Sequence, residues 1–141
     1  MIKFGGPRIL KMKKIEVDAH LPYLLEAKNR KLYKLLILAD VRYLPFRPRS
    51  VDVVMALDLI EHLDKEDGLK ILMSMEKIAR KKLIIFTPLG FLPLKPYDTI
   101  LQLHRSGWYP KEFRTRGYKC RGVNGLFFLR GEGVVLELAG S

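Results

Sequence analysis

The sequence predicts an α/β protein whose mostly parallel, doubly wound sheet ends in antiparallel strands, and three observations carry that prediction. Short β-branched runs alternate with segments of helical period. One run, Leu83–Phe86, is almost wholly apolar, as befits a strand covered on both faces. The C-terminal part is punctuated by Asn124-Gly125 and Gly131-Glu132-Gly133, which read as turns between hairpin-like strands.

The elements follow in chain order. Ile15–Asp18 is a short strand ending in a carboxylate. Pro22 suits the first turn of a helix, where its missing N–H costs nothing, and Leu21, Leu24, Leu25 and Ala27 follow at near-helical spacing with Glu26 and Arg30 as an i,i+4 pair. A second strand, Leu35–Ala39, ends at Asp40. Pro45 and Pro48 then exclude regular structure, because each removes a donor and restricts its neighbour. A third strand spans Val51–Ala56. Asp64 is placed to cap a helix with Glu66 and Asp67 in its first turn, and Leu69, Leu72, Met73, Glu76 and Ala79 continue the period to an Arg80-Lys81-Lys82 end. After the fourth strand, Leu83–Phe86, three prolines (Pro88, Pro93, Pro96) predict irregular chain. A short helix, Lys111–Arg116, leads to strands at Tyr118–Val123, Leu126–Leu129 and Val134–Leu138.

Composition bounds the function. The chain has 141 residues and is 48% hydrophobic, which suits one domain with a true core. No apolar run approaches the ~20 residues that span a bilayer, and no leader pattern is visible, so a soluble, cytoplasmic protein is expected. Cys120 is the single cysteine, which excludes disulfides and cysteine-based zinc sites. Lys and Arg outnumber Asp and Glu by 26 to 15, giving +11, and the excess lies in the two ends of the chain. Such a balance fits either a polyanionic partner or the basic, thermophile-like surface of proteins from hot environments.

In open α/β sheets, ligands sit outside the carboxyl ends of the strands. Three consecutive strands end in, or are soon followed by, an acid: Asp18, Asp40 and Asp58. One such acid is an ordinary turn former, whereas three on one edge point to a binding site.

Several motifs share an order. Leu38-Ala39-Asp40 runs on to Leu44-Pro45-Phe46, then come Ser50-Val51-Asp52-Val53-Val54, Leu57-Asp58-Leu59-Ile60-Glu61-His62-Leu63 and Ile84-Ile85-Phe86-Thr87-Pro88. In that order they resemble the S-adenosylmethionine-dependent methyltransferases with a Rossmann-like fold, over about Ile15 to Gly125. His104-Arg105-Ser106-Gly107-Trp108, Phe113 and Arg116-Gly117-Tyr118 are similar to one branch of that family. The resemblance implies S-adenosylmethionine as cofactor. It assigns Asp18 to the ribose hydroxyls, His20 and Leu21 to the side of the adenine, and Asp40 and the Val41 N–H to the adenine edge. Leu57 and Asp58 would flank the methionine arm. Asp58, His62 and His104 are the candidate bases, with a merely structural histidine the alternative for His62. Glu61-His62 has no partner at i+4 spacing, so no metal is expected.

The family's first strand and Gly-rich loop have little counterpart here, since only Ile2–Phe4 and Gly5-Gly6 are available to form them. The pair Gly5 and Gly6 is either a remnant of the cofactor loop or a sign that the domain is partial at its N-terminus; the second is the expectation. An exposed sheet edge then predicts a homodimer, and activity is open. The alternative function is a non-catalytic remnant serving as a nucleic-acid or protein binding module. Arg105, Lys111, Arg114, Arg116, Lys119 and Arg121, interleaved with Trp108, Tyr109, Phe113 and Tyr118, are the candidate RNA contacts, unless those aromatics are core.

Overall fold

The computed structural model describes residues 12–91, 103–123 and, as backbone, 133–139. The expected strand Leu126–Leu129, the prolines Pro93 and Pro96, and Gly5 and Gly6 lie outside these residues. The chain divides into two compact units after Leu44.

In the first unit β1 (Ile15–Asp18) pairs in parallel with β2 (Leu35–Leu38), from Ile15 opposite Leu35 to Asp18 opposite Leu38. Helix α1 (Leu21–Asn29) makes the crossover, with Pro22 in its first turn and the Glu26–Arg30 ion pair on its surface. The Ala39 N–H donates to the Asp18 carbonyl at 3.1 Å, so the two chains leave the ladder side by side. A 3-10 turn, Val41–Tyr43, follows at once.

The second unit holds a four-stranded sheet in the order β3 (Val51–Leu57), β4 (Ala79–Pro88), β6 (Gly133–Ala139), β5 (Lys119–Val123). The β3–β4 pair is parallel, and β6 runs antiparallel to both of its neighbours, so the α/β class and its antiparallel finish are as the sequence predicts. Helix α2 (Lys65–Ile78) joins β3 to β4 and buries Gly68, Ile71, Leu72, Met75 and Ile78, one stripe at three- and four-residue spacing. Asp64 takes the N-cap position with extended backbone, but its side chain makes no capping bond.

The expected helical end at Arg80-Lys81-Lys82 is corrected: Ala79 is extended and β4 starts there without a loop. Tertiary pairing outweighs the macrodipole preference of these cations. Arg80 and Lys81 both bind the Asp52 carboxylate on β3, the latter at 3.1 Å. Beyond them β4 alternates, burying Leu83, Ile85 and Thr87 on one face. The face opposite is half-buried, so β4 is less fully covered than its composition implies.

Trp108 ties the short helix α3 (Pro110–Arg114) to this core. It is 1% exposed, packs on Phe113 with ring centroids 5.6 Å apart, and carries the Lys65 ammonium 3.7 Å from its ring centre. Gly68 makes room for it, because a Cβ there would stand 2.5 Å from the indole ring. On helix propensity alone Gly68→Ala would stabilise α2 by about 1 kcal/mol. The overlap with Trp108 reverses the sign, and a net loss of about 1–3 kcal/mol is expected in chemical denaturation.

Candidate active site

The strand β3 ends on a backbone outlier. Asp58 has φ of 49°, a left-handed conformation that Asp tolerates better than most residues, and its N–H donates to the Phe86 carbonyl at 3.0 Å. The chain then turns through a 3-10 helix, Ile60–His62, that carries Glu61 inward to 1% exposure. There Glu61 Oε2 accepts from the Thr87 hydroxyl at 3.0 Å. Its Oε1 is buried with no hydrogen-bond partner.

A strap formed by residues 103–109 closes on this turn. The Glu61 carbonyl accepts from both the Arg105 and Ser106 N–H groups, at 2.7 and 3.1 Å. The Ile60 carbonyl accepts from the Ser106 hydroxyl at 3.1 Å and from the Trp108 indole at 3.2 Å. Lys65 donates to the Gly107 carbonyl at 2.7 Å. These bonds carry His104 to His62, where the rings meet edge to face with centroids 4.9 Å apart. His62 Nδ1 lies 3.3 Å from the Leu103 carbonyl, and His104 Nδ1 is buried without a partner.

Electrostatics follow from this enclosure. Burial, reinforced by the charge of Asp58, raises the pKa of Glu61 to about 8. Asp58 is solvent-accessible as a residue, yet enough protein surrounds its carboxyl to raise its pKa too, against the lowering effects of the neighbouring Glu61 carboxyl and of both histidines. Of the two carboxyls, Glu61 is the more deeply buried. The three candidate bases, Asp58, His62 and His104, are brought together, and Glu61 is the partner that sequence reasoning set aside. Thr87, which the sequence offers only as part of the Ile84–Pro88 motif, joins it through the bond to Oε2. The available signal was an acid three residues before a Glu-His pair, a pattern that puts two carboxyls on one tight turn.

In the first unit the candidate cofactor acids share one edge. Asp18 Oδ1 accepts from the His20 N–H at 2.7 Å, a turn that leaves α1 starting directly at Leu21. Asp40 accepts from the Arg42 N–H at 2.9 Å and from its guanidinium, which holds the Asp40 carboxyl below the usual range. His20 packs against Tyr23, and Leu21 is half exposed. Val41 opens the 3-10 turn. Leu57 is partly exposed at the end of β3.

The basic segment reads differently in three dimensions. Trp108, Phe113 and Tyr118 are core residues, so they offer no stacking face; Tyr109 is exposed. Arg116 binds Glu76 through both nitrogens of its fork, and the Tyr118 hydroxyl donates to the same carboxylate at 2.9 Å. Arg105 lies 3.9 Å from Asp64. Lys111, Arg114, Lys119 and Arg121 are exposed. Among the described residues no helix is long and apolar enough to cross a membrane.

Residues 10–86 match the sequence pattern of the methyltransferase domain family. No curated protein matches the chain. Among solved structures, a protein from Pyrococcus horikoshii OT3 superposes with a TM-score of 0.67 at 12% identity, over 93% of this chain and 73% of that one. The magnesium protoporphyrin IX methyltransferase of Synechocystis PCC 6803 with bound S-adenosylhomocysteine gives 0.65 at 16% identity, over 90% of this chain and 64% of that one. The N-methyltransferase NodS of Bradyrhizobium japonicum WM9 gives 0.60 at 10% identity, over 91% and 73%. Identities this low establish a shared fold. The chain spans less than two thirds of the Synechocystis enzyme.

Burial of Glu61 has a measurable consequence. Between about 4.5 and about 8 the folded state holds a proton that the unfolded state releases, so its contribution to stability is complete below about 4.5 and is lost as pH rises through about 8. Thermal melts in chelator-containing buffer are expected to show this decline in the wild type. Glu61→Gln, which keeps an acceptor for Thr87, is expected to flatten it.

Proposed function

The chain belongs to the methyltransferase domain family, matched over residues 10–86, and on that premise we propose that it transfers a methyl group to a nucleophilic acceptor positioned beside Asp58. S-adenosylmethionine is the cofactor, as it or its product is in the Synechocystis enzyme. The observation that carries the reading is the carboxyl edge of β1 and β2, where parallel pairing delivers Asp18 and Asp40 together.

The donor and acceptor chemistry fits an adenosine. Its ribose hydroxyls and adenine amino group are donors, and carboxylates at strand ends are acceptors. Asp18 uses one oxygen on the local turn, and a carboxylate accepts about four hydrogen bonds, so capacity for the ribose remains. Asp40 is ionised by its Arg42 partner, and an exposed pair of this kind is worth only about 0–1 kcal/mol, so sharing the carboxylate with the adenine amino group costs little. In this reading His20 and Leu21 flank the adenine and the Val41 N–H meets a ring nitrogen.

When bound, the cofactor supplies an electrophilic methyl carbon on a sulfonium, taken by the acceptor's lone pair in one displacement. The chain's own part is placement and proton transfer. Asp58 accepts the acceptor's proton, its pKa raised toward neutrality by burial and so closer to a useful base. His62 and His104 bias Asp58 toward its carboxylate form.

Titration with S-adenosylhomocysteine by calorimetry tests the assignment. Asp18→Ala and Asp40→Ala are each expected to weaken binding about tenfold to a hundredfold, the worth of a hydrogen bond to a charged group at about 1.5–3 kcal/mol. Unchanged affinity in both variants would refute the site. A wild-type protein that binds no S-adenosylhomocysteine would favour the non-catalytic module.

A further inference from the structure

Glu61, His62 and His104 stand as a ligand set. One ligand atom from each lies within 4.8 Å of the others. Tetrahedral bonds of about 2.1 Å to a zinc ion hold ligand atoms about 3.4 Å apart, so side-chain shifts of about 1 Å or less close this triangle on a cation. Two of the three residues also carry polar atoms that the fold leaves unsatisfied. Glu61 Oε1 and His104 Nδ1 are buried and unpartnered, in residues 1% and 8% exposed. Buried polar atoms are nearly always satisfied, so this pair requires an explanation. His62 is oriented in the manner of a ligand as well: with Nδ1–H donated to the Leu103 carbonyl, Nε2 carries the lone pair.

We propose that Glu61, His62 and His104 bind a divalent transition cation of the zinc, cobalt or manganese class. Two imidazoles and one carboxylate suit such borderline cations better than a purely oxygen-seeking ion. Three protein ligands leave at least one coordination position open, and Asp58 is near enough to both histidines and to Glu61 to add negative charge to the site. The expectation of no metal rested on the lack of an i+4 partner for Glu61-His62 and on a total of three histidines. The third ligand instead comes from the distant strap, brought in by the Arg105 and Ser106 N–H bonds to the Glu61 carbonyl. Cation binding here rests on coordination chemistry alone, so it stands or falls separately from methyl transfer.

The test uses the whole chain without a histidine tag, stripped with chelator, then titrated with Co²⁺ by visible absorption and with Zn²⁺ by calorimetry. One saturable site per chain is expected, with a cobalt ligand-field band. Glu61→Gln, His62→Gln and His104→Gln are each expected to weaken binding at least tenfold, whereas His20→Ala, which removes the remaining histidine, leaves the band in place. The near-ultraviolet circular dichroism of Trp108, docked on the same turn, verifies folding of each variant. Should a buried-site variant unfold, the partly exposed His62→Gln decides. No saturable binding by the wild type overturns the proposal, and so does binding that persists unchanged in the folded variants.

Discussion

The carbonyl of Glu61, accepting from two successive N–H groups of the strap, is the interaction on which the second unit's buried polar cluster depends. It satisfies backbone groups that would otherwise be stranded where the chain turns inward. It also fixes the distance between a turn that carries Glu61 and His62 and a segment that carries His104. The Ile60 carbonyl repeats the device with Ser106 and Trp108. Trp108 adds the apolar anchor, and Lys65 fastens the strap from α2 by meeting the Gly107 carbonyl and Glu112. Four polar side chains can then face one another because their backbones, not their charges, hold them there.

The cluster departs from ordinary rules for buried groups. A carboxyl at 1% exposure with only one oxygen bonded is expensive, and so is a left-handed Asp58. Both costs fall on one turn after β3, while α2 buries one continuous stripe and β4 alternates beneath it. Local expense set on a regular scaffold is the usual arrangement of a functional site.

Much of the scaffold was legible in the sequence because its signals are local. The proline in the first turn of α1, the extended Asp64 before α2, and the acids at the ends of β1 and β2 stand where pattern and turn chemistry put them. The start of β4 was not legible. Arg80, Lys81 and Lys82 satisfy the preference for cations at a helix end, and only the Asp52 carboxylate on the neighbouring strand overrides it. The aromatics of the basic segment were likewise ambiguous, since burial of Trp108, Phe113 and Tyr118 depends on Gly68, α2 and the strap together. His104 was visible as a candidate, but its meeting with Glu61 required the strap to pair with a turn far back in the chain, Arg105 and Ser106 against Glu61. The meeting of Glu61 with Thr87 joins two separate motifs and carries no local signal.

The direct passage from α2 into β4 has a consequence for how this fold can vary. With no loop between Ile78 and Ala79, there is no slack to absorb an added residue. An insertion at that junction would advance β4 by one position, and side chains on a strand alternate faces. Leu83, Ile85 and Thr87 would turn outward together, and the hydroxyl that steadies Glu61 would leave with them. The length of the chain at a junction far from the histidines is therefore under the same constraint as the site, and lineages of this sequence should accept insertions in the proline-rich stretch before β3 while excluding them here.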